Sequence, residues 1–142
     1  MAGDVERNIQ IPLLHIADVT AERIKEMGHG TVGLLGTRFT MEQDFYKGRL
    51  KNDHGIDVII PDEVERTTIH SILYDELCLG AVKSESKEKF KSIIANLEKR
   101  GAEGIILGCT EIPLIVKQED YAIFLYDTTR LHAEAAVNFA LQ

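Results

Sequence analysis

The sequence predicts an α/β fold, a three-layer sandwich in which a short parallel sheet of about four strands is flanked by helices. Three observations predict it. Four apolar runs of four to six residues (31–36, 56–61, 103–108 and 122–126) are each bounded by Gly, Pro, Asp or Thr, as strands buried on both faces are. Segments with helical spacing of apolar residues separate the runs, and strands joined through helices imply crossovers and parallel pairing. The 142 residues, 44% hydrophobic and 27% charged, suffice for one globular core, burying roughly 70% of the unfolded surface without disulfides or metal.

The elements follow in order. Residues 1–10 carry both signs of charge and no apolar run, so they read as the tail of an amphipathic helix and not as a signal peptide. Residues 16–27 read as a helix that stops before Gly28, and residues 31–36 as the first strand. A weaker helix over 41–52 ends at His54-Gly55, and 56–61 is the second strand. After Pro61-Asp62-Glu63, an apolar stripe of Ile69, Ile72, Leu73 and Leu77 marks another helix, whose acidic start complements its dipole. Phe90, Ile93, Ile94 and Leu97 mark the next; Ser84 or Ser86 is its expected cap and Lys99-Arg100-Gly101 its end. Strand 103–108, a short helical stretch over 111–116, strand 122–126 and an Ala-rich helix over 131–141 complete the chain. The whole of 1–142 reads as a single α/β domain.

Composition narrows the function. With 16 basic and 23 acidic residues the net charge is −7, which disfavours nucleic acid and anionic membranes as partners. The longest apolar run, 104–109, is far below the ~20 residues of a membrane span. Two cysteines, Cys78 and Cys109, make neither a disulfide framework nor a zinc site, and no histidine pair stands at metal-ligand spacing. A soluble, cytoplasmic domain without a metal is expected.

In an open parallel sheet, ligands bind beyond the carboxyl ends of the strands. Here those ends carry Gly36-Thr37-Arg38-Phe39-Thr40, Pro61-Asp62-Glu63, Gly108-Cys109-Thr110-Glu111 and Asp127-Thr128-Thr129. Cys109 leaves a strand and precedes a helical stretch, a position that favours a thiolate able to act as base or nucleophile; a buried structural cysteine is the competing reading. Cys78 reads as a core residue on a helix face. The 36–40 loop offers two threonine hydroxyls, Arg38 and backbone N–H groups to a carboxylate or phosphate, or else is a plain turn capped by Thr40. It matches neither a P-loop nor a dinucleotide fingerprint. His29 and His54 read as surface turn residues, His132 as a helix-start residue, and Lys83 as a cation near the same edge.

The segments Leu14-His15-Ile16-Ala17-Asp18, Val32-Gly33-Leu34-Leu35-Gly36-Thr37-Arg38-Phe39-Thr40-Met41, the run from Gly101 to Glu111 ending in Gly108-Cys109-Thr110-Glu111, and Asp127-Thr128-Thr129 with Leu131-His132-Ala133 resemble, in this order, the aspartate/glutamate racemase family of cofactor-independent amino-acid racemases. The resemblance implies two similar α/β domains with substrate between them, and two opposed acid/base groups that move the α-proton without pyridoxal phosphate, metal or other cofactor. It implies that Cys109 is one of these groups, that Thr37, Thr40 and Thr110 contact the substrate carboxylate, that Glu111 lies in the substrate site, and that Lys83 holds the side-chain carboxylate of a small acidic amino acid. Aspartate-type members typically carry the Glu that matches Glu111.

Family members run well over two hundred residues, and their first half carries the opposing group. The chain is therefore expected to be the second domain of a racemase, with residual helices over 1–27 and a terminal helix over 129–142 that packs on the first domain. Two alternatives stand beside racemisation: an inactive portion that forms a homodimer through the uncovered apolar surface, and a single-thiol relative of the malonate decarboxylase or maleate isomerase type.

Overall fold

The computed structural model describes residues 1–142. Its helices are α1 (Ala2–Asn8), α2 (Ile16–Glu26), α3 (Arg38–Glu42), α4 (Asp44–His54), α5 (Glu63–Asp75), α6 (Ser84–Lys99) and α7 (Thr128–Ala140), and its strands β1 (Thr31–Leu35), β2 (Asp57–Ile59), β3 (Gly104–Leu107) and β4 (Phe124–Asp127). All four strands run parallel in the order β2-β1-β3-β4. Neighbouring residues of the central strands point to opposite faces, as the two-residue period of a strand requires. Leu34 and Ile106 join Ala21, Ile24, Leu50 and Tyr126 beneath α2 and α4. Leu35 and Ile105 join Ile69, Leu73, Phe90, Ile94 and Leu97 beneath α5 and α6. α7 packs against α2 on the first face. Layered cores of this kind, at about 1.5–3 kcal/mol for each fully buried large aliphatic side chain, drive the fold. No helix is long and apolar enough to cross a membrane.

Several expectations need correction. The helix expected over 41–52 is two helices, α3 and α4, broken at an extended Gln43 (φ −79°, ψ 151°). The break lets Met41 enter the core on one face of the sheet while Tyr46 and Leu50 enter the core on the other. The stretch 111–116 makes only a 3₁₀ turn at Ile112–Leu114. Neither Ser84 nor Ser86 caps α6; Ser86 is buried and donates to Glu76 at 2.6 Å. α5 does begin as its acidic start suggested, with a reciprocal cap between Asp62 and Glu65. β2 is an edge strand with Asp57 exposed, so it is not buried on both faces. Cys78 is exposed on a 3₁₀ turn, Leu77–Leu79, where its neighbour Leu77 takes the core position.

Candidate active site

The chain leaves β1 toward β2 and leaves β3 toward β4, in opposite directions along the sheet. The crevice between the carboxyl ends of β1 and β3 is therefore the switch point, where open α/β sheets place their ligands. Two glycines bring the loops of these strands together. A Cβ on Gly108 would sit 2.9 Å from the Leu35 carbonyl oxygen, and one on Gly36 would sit 3.1 Å from the Thr40 side chain. Without those carbons, Gly108 N–H donates to Leu35 O at 2.7 Å and the Thr40 methyl packs beside Gly108.

Thr37, not Thr40, caps the helix that opens this loop: its Oγ1 accepts from Thr40 N–H at 3.2 Å and lies 3.1 Å from Thr40 Oγ1. α5 meets the loop as well. Arg38 N–H donates to His70 Nδ1 at 3.4 Å, and the Arg38 guanidinium donates to Thr67 Oγ1 at 2.7 Å. Beyond β4, Thr128 Oγ1 is buried and donates to Leu107 O at 3.0 Å, and Asp127 caps α7 by accepting from Arg130 N–H. These groups hold the rim together.

Cys109 is half-buried against the α5–α6 core. Its S–H donates to Glu111 Oε2 at 2.8 Å. The thiol is pushed up to about 11, first by burial and then by the Glu111 carboxylate; Cys78 adds a smaller push in the same direction. Burial and Glu111 thus act against the thiolate that this position was expected to favour, and the stretch beyond Cys109 is a 3₁₀ turn of three residues instead of a helix. The Glu111 carboxyl is held below the usual range by the Cys109 thiol and then by the Thr110 hydroxyl.

The crevice thus sets the Thr37–Thr40 pair beside Gly108, which leads into the Cys109–Glu111 pair, with Thr110 exposed between them in sequence. Glu111, expected to face substrate, is engaged by the thiol. Lys83 is exposed at the start of α6 and pairs with Glu76 at 3.6 Å, with no hydrogen bond or ion pair to the crevice residues. His132 is anchored to the Leu14 carbonyl at 2.8 Å. Neither His54 nor His29 is an idle turn residue. Asp18 accepts two hydrogen bonds from Arg49, at 2.7 and 2.8 Å, and one from His54 at 2.8 Å, and Arg49 above all holds its carboxyl well below the ordinary range. His29 Nδ1 lies 2.6 Å from the Tyr126 hydroxyl. Sequence spacing gives no signal for pairs this remote along the chain.

No group of three His, Cys, Asp or Glu side chains converges to hold a metal ion. A surface hollow of about 900 Å³ beside α1 and α4 contains none of the crevice residues. It is lined by solvated charges such as Lys47, Lys51 and Asp53, and the loops of β1 and β3 are the better chemical candidate.

The family model for Asp/Glu/hydantoin racemases matches residues 1–136. An uncharacterised protein from the pnlA 3′ region of Pectobacterium carotovorum subsp. carotovorum is 33% identical over 121 residues, covering 82% of this chain and 76% of that protein. Among solved structures, a candidate Asp/Glu racemase from Yersinia pestis superposes with a TM-score of 0.96 at 50% identity. An aspartate racemase homologue from Pyrococcus horikoshii OT3 superposes with a TM-score of 0.92 at 36% identity. The match covers 99% of this chain in both cases and only 61% of either relative. The aspartate racemase of Picrophilus torridus is more distant, with a TM-score of 0.68 at 29% identity over 89% of this chain and 52% of that one. The fold, the residues at the switch point and these matches agree: the chain belongs to the Asp/Glu/hydantoin racemase family.

Proposed function

We propose that this chain forms one wall of the active site of a racemase for acidic amino acids, and that it moves the α-proton without pyridoxal phosphate or metal. The reading is supported by the approach of the β1 and β3 loops at the switch point of the sheet, where Thr40, hydrogen-bonded to Thr37, packs beside Gly108, the residue before Cys109 and Thr110. Cys109 exchanges a proton with one face of Cα. The threonine hydroxyls and neighbouring N–H groups hold the α-carboxylate and offset the charge that develops as the proton leaves, the term on which a weakly acidic carbon depends most. Lys83, exchanging Glu76 for substrate, pairs with the side-chain carboxylate. The opposing acid/base group comes from another domain or another copy of the chain, with 1–142 acting as a single domain. Phe39, Leu79 and Leu114, exposed on the 36–40 loop, the Cys78 turn and the β3 loop, and Val137, Phe139 and Leu141 on and just after α7, supply apolar surface for that partner.

The test uses each enantiomer of aspartate and glutamate in deuterium oxide. Exchange at Cα needs only one base, which in the chain alone is the small thiolate fraction of Cys109, so exchange is followed at pH 7 and at pH 9; loss of optical rotation needs the opposing group as well. Slow deuterium incorporation into one enantiomer is expected, and Cys109→Ala is expected to lower it by about a hundredfold or more. Exchange that survives Cys109→Ala overturns the role given to the thiol. Turnover of substituted malonates or maleate with no exchange into either amino acid would move the chain to the decarboxylase or isomerase type.

A further inference from the structure

We infer that Glu111 is a positioning residue that keeps Cys109 protonated, so that in the resting chain this thiol is the proton donor and the opposing group the acceptor. The inference rests on the racemase reading for its meaning and on geometry for its substance. The two groups are joined directly, S–H to Oε2 at 2.8 Å, across a single intervening residue. A thiol holds its proton roughly four units more tightly than a carboxyl does, so the shared proton belongs to sulfur and the charge to Glu111. Losing that proton would leave two negative charges at hydrogen-bond distance beside a half-buried wall, which burial makes costly. The titratable groups that act on Cys109 are Glu111 from its own loop and Cys78 from the turn after α5, and both disfavour the thiolate. The Thr110 hydroxyl favours the charged form of Glu111 and so reinforces the arrangement.

The proton balance is simple. In the resting direction the opposing group takes the α-proton from one face of the substrate. The S–H bond of Cys109 then breaks as a C–H bond forms on the other face, leaving a thiolate beside Glu111. That thiolate is a strong base and reclaims a proton in the reverse direction. With the opposing group in place, the resting state therefore engages productively the enantiomer whose α-hydrogen points away from Cys109.

The experiment needs no substrate. In the full chain carrying Cys78→Ser, Cys109 is the only thiol, and its ionisation is followed by thiolate absorbance and by the rate of alkylation with iodoacetamide across pH. The expected midpoint lies well above the ~8.5 of a free thiol. Adding Glu111→Gln removes the charge and keeps the shape, and the midpoint is expected to fall by about one unit or more, giving about tenfold more thiolate at pH 8. An unchanged or raised midpoint in Glu111→Gln overturns the proposal. If that variant fails to fold, the S–H stretching band of the parent decides: a band shifted as for a thiol bonded to a carboxylate supports the pairing, and one at the position of a free thiol overturns it. Absence of Cα exchange even at pH 9 in Glu111→Gln, where the thiolate fraction is largest, sinks the racemase reading and leaves these results standing. An unshifted midpoint beside intact exchange sinks this proposal alone.

Discussion

The two ends of the sheet are built from similar materials and put them to different uses. At the amino end, Glu103 Oε2 accepts from Gly30 N–H at 2.6 Å and Thr31 N–H at 3.0 Å, His29 meets the Tyr126 hydroxyl, and Gly104 lies directly under the Tyr126 ring. The polar groups there are consumed in tying β1, β3 and β4 together. At the carboxyl end, Thr110 is exposed, Thr37 and Thr40 share a hydrogen bond that a ligand can replace, and Arg38 is satisfied by a hydroxyl and not by a carboxylate. One end spends its polar groups on stability; the other keeps them exchangeable, which is what a binding edge requires.

Two glycines, one per end, put the largest strain on this comparison. In Gly104→Ala the added methyl falls 2.5 Å from a Tyr126 ring carbon and 3.3 Å from the Phe124 carbonyl oxygen. In Gly108→Ala it falls 2.9 Å from the Leu35 carbonyl oxygen, a backbone atom that has little room to yield. Overpacking of this kind costs about 1–3 kcal/mol, and urea unfolding is expected to show a loss in that range for both variants. The ends separate in a second readout. Gly108→Ala is expected to change the alkylation rate of Cys109, whereas Gly104→Ala is expected to leave it as in the parent. Equal changes in the two variants would show that the ends are not independent.

The sequence made the scaffold legible because local rules wrote it. Parallel strands announce themselves as short apolar runs, and α2, α5 and α6 as stripes spaced for one helix face, and each lies within a few residues of where that pattern puts it. The break at Gln43 was not legible: no Gly or Pro marks it, and its cause is that Met41 and Tyr46 serve opposite faces of the sheet. The same divide runs through the site. Sheet topology and motif pointed to the Thr37, Thr40 and Cys109 edge, but the protonation of Cys109 depends on burial and on the direction of the Glu111 side chain, neither of which periodicity encodes. A cysteine before a short helical stretch looks like a primed thiolate until the stretch proves to be a 3₁₀ turn.

A smaller effect tests whether the carboxyl-end hydroxyls are as dispensable to the fold as the comparison implies. Thr37→Ala removes the oxygen that accepts from Thr40 N–H. Loss of an N-cap typically costs about 1 kcal/mol, and here the cost is expected at or below that figure, because α3 is a helix of five residues. Denaturant midpoints check it. A loss of several kcal/mol would place Thr37 among the structural groups and blur the distinction between the two ends.

The smallest effect is a slope at alkaline pH, and it isolates Cys109. The folded chain holds the thiol proton more tightly than the unfolded chain does, from an ordinary 9.0 to about 11. Such a group leaves stability untouched at lower pH and makes it fall as pH rises from the unfolded value through the folded one. Tyr46, Tyr121 and Tyr126, each raised by burial from 10.0 to about 12, act in the same direction but begin a unit higher. Between pH 8 and pH 9 the decline therefore comes mainly from Cys109, its partial exposure keeps the expected loss well under about 1 kcal/mol, and by pH 10 the three tyrosines contribute as much. Unfolding free energies measured at pH 8, 9 and 10 in the parent and in Cys109→Ser decide the matter. The parent should lose stability over that interval and the variant should lose distinctly less. Parallel curves would mean that sulfur ionises as easily in the fold as out of it, and the carboxyl end would then be electrostatically no different from open solvent.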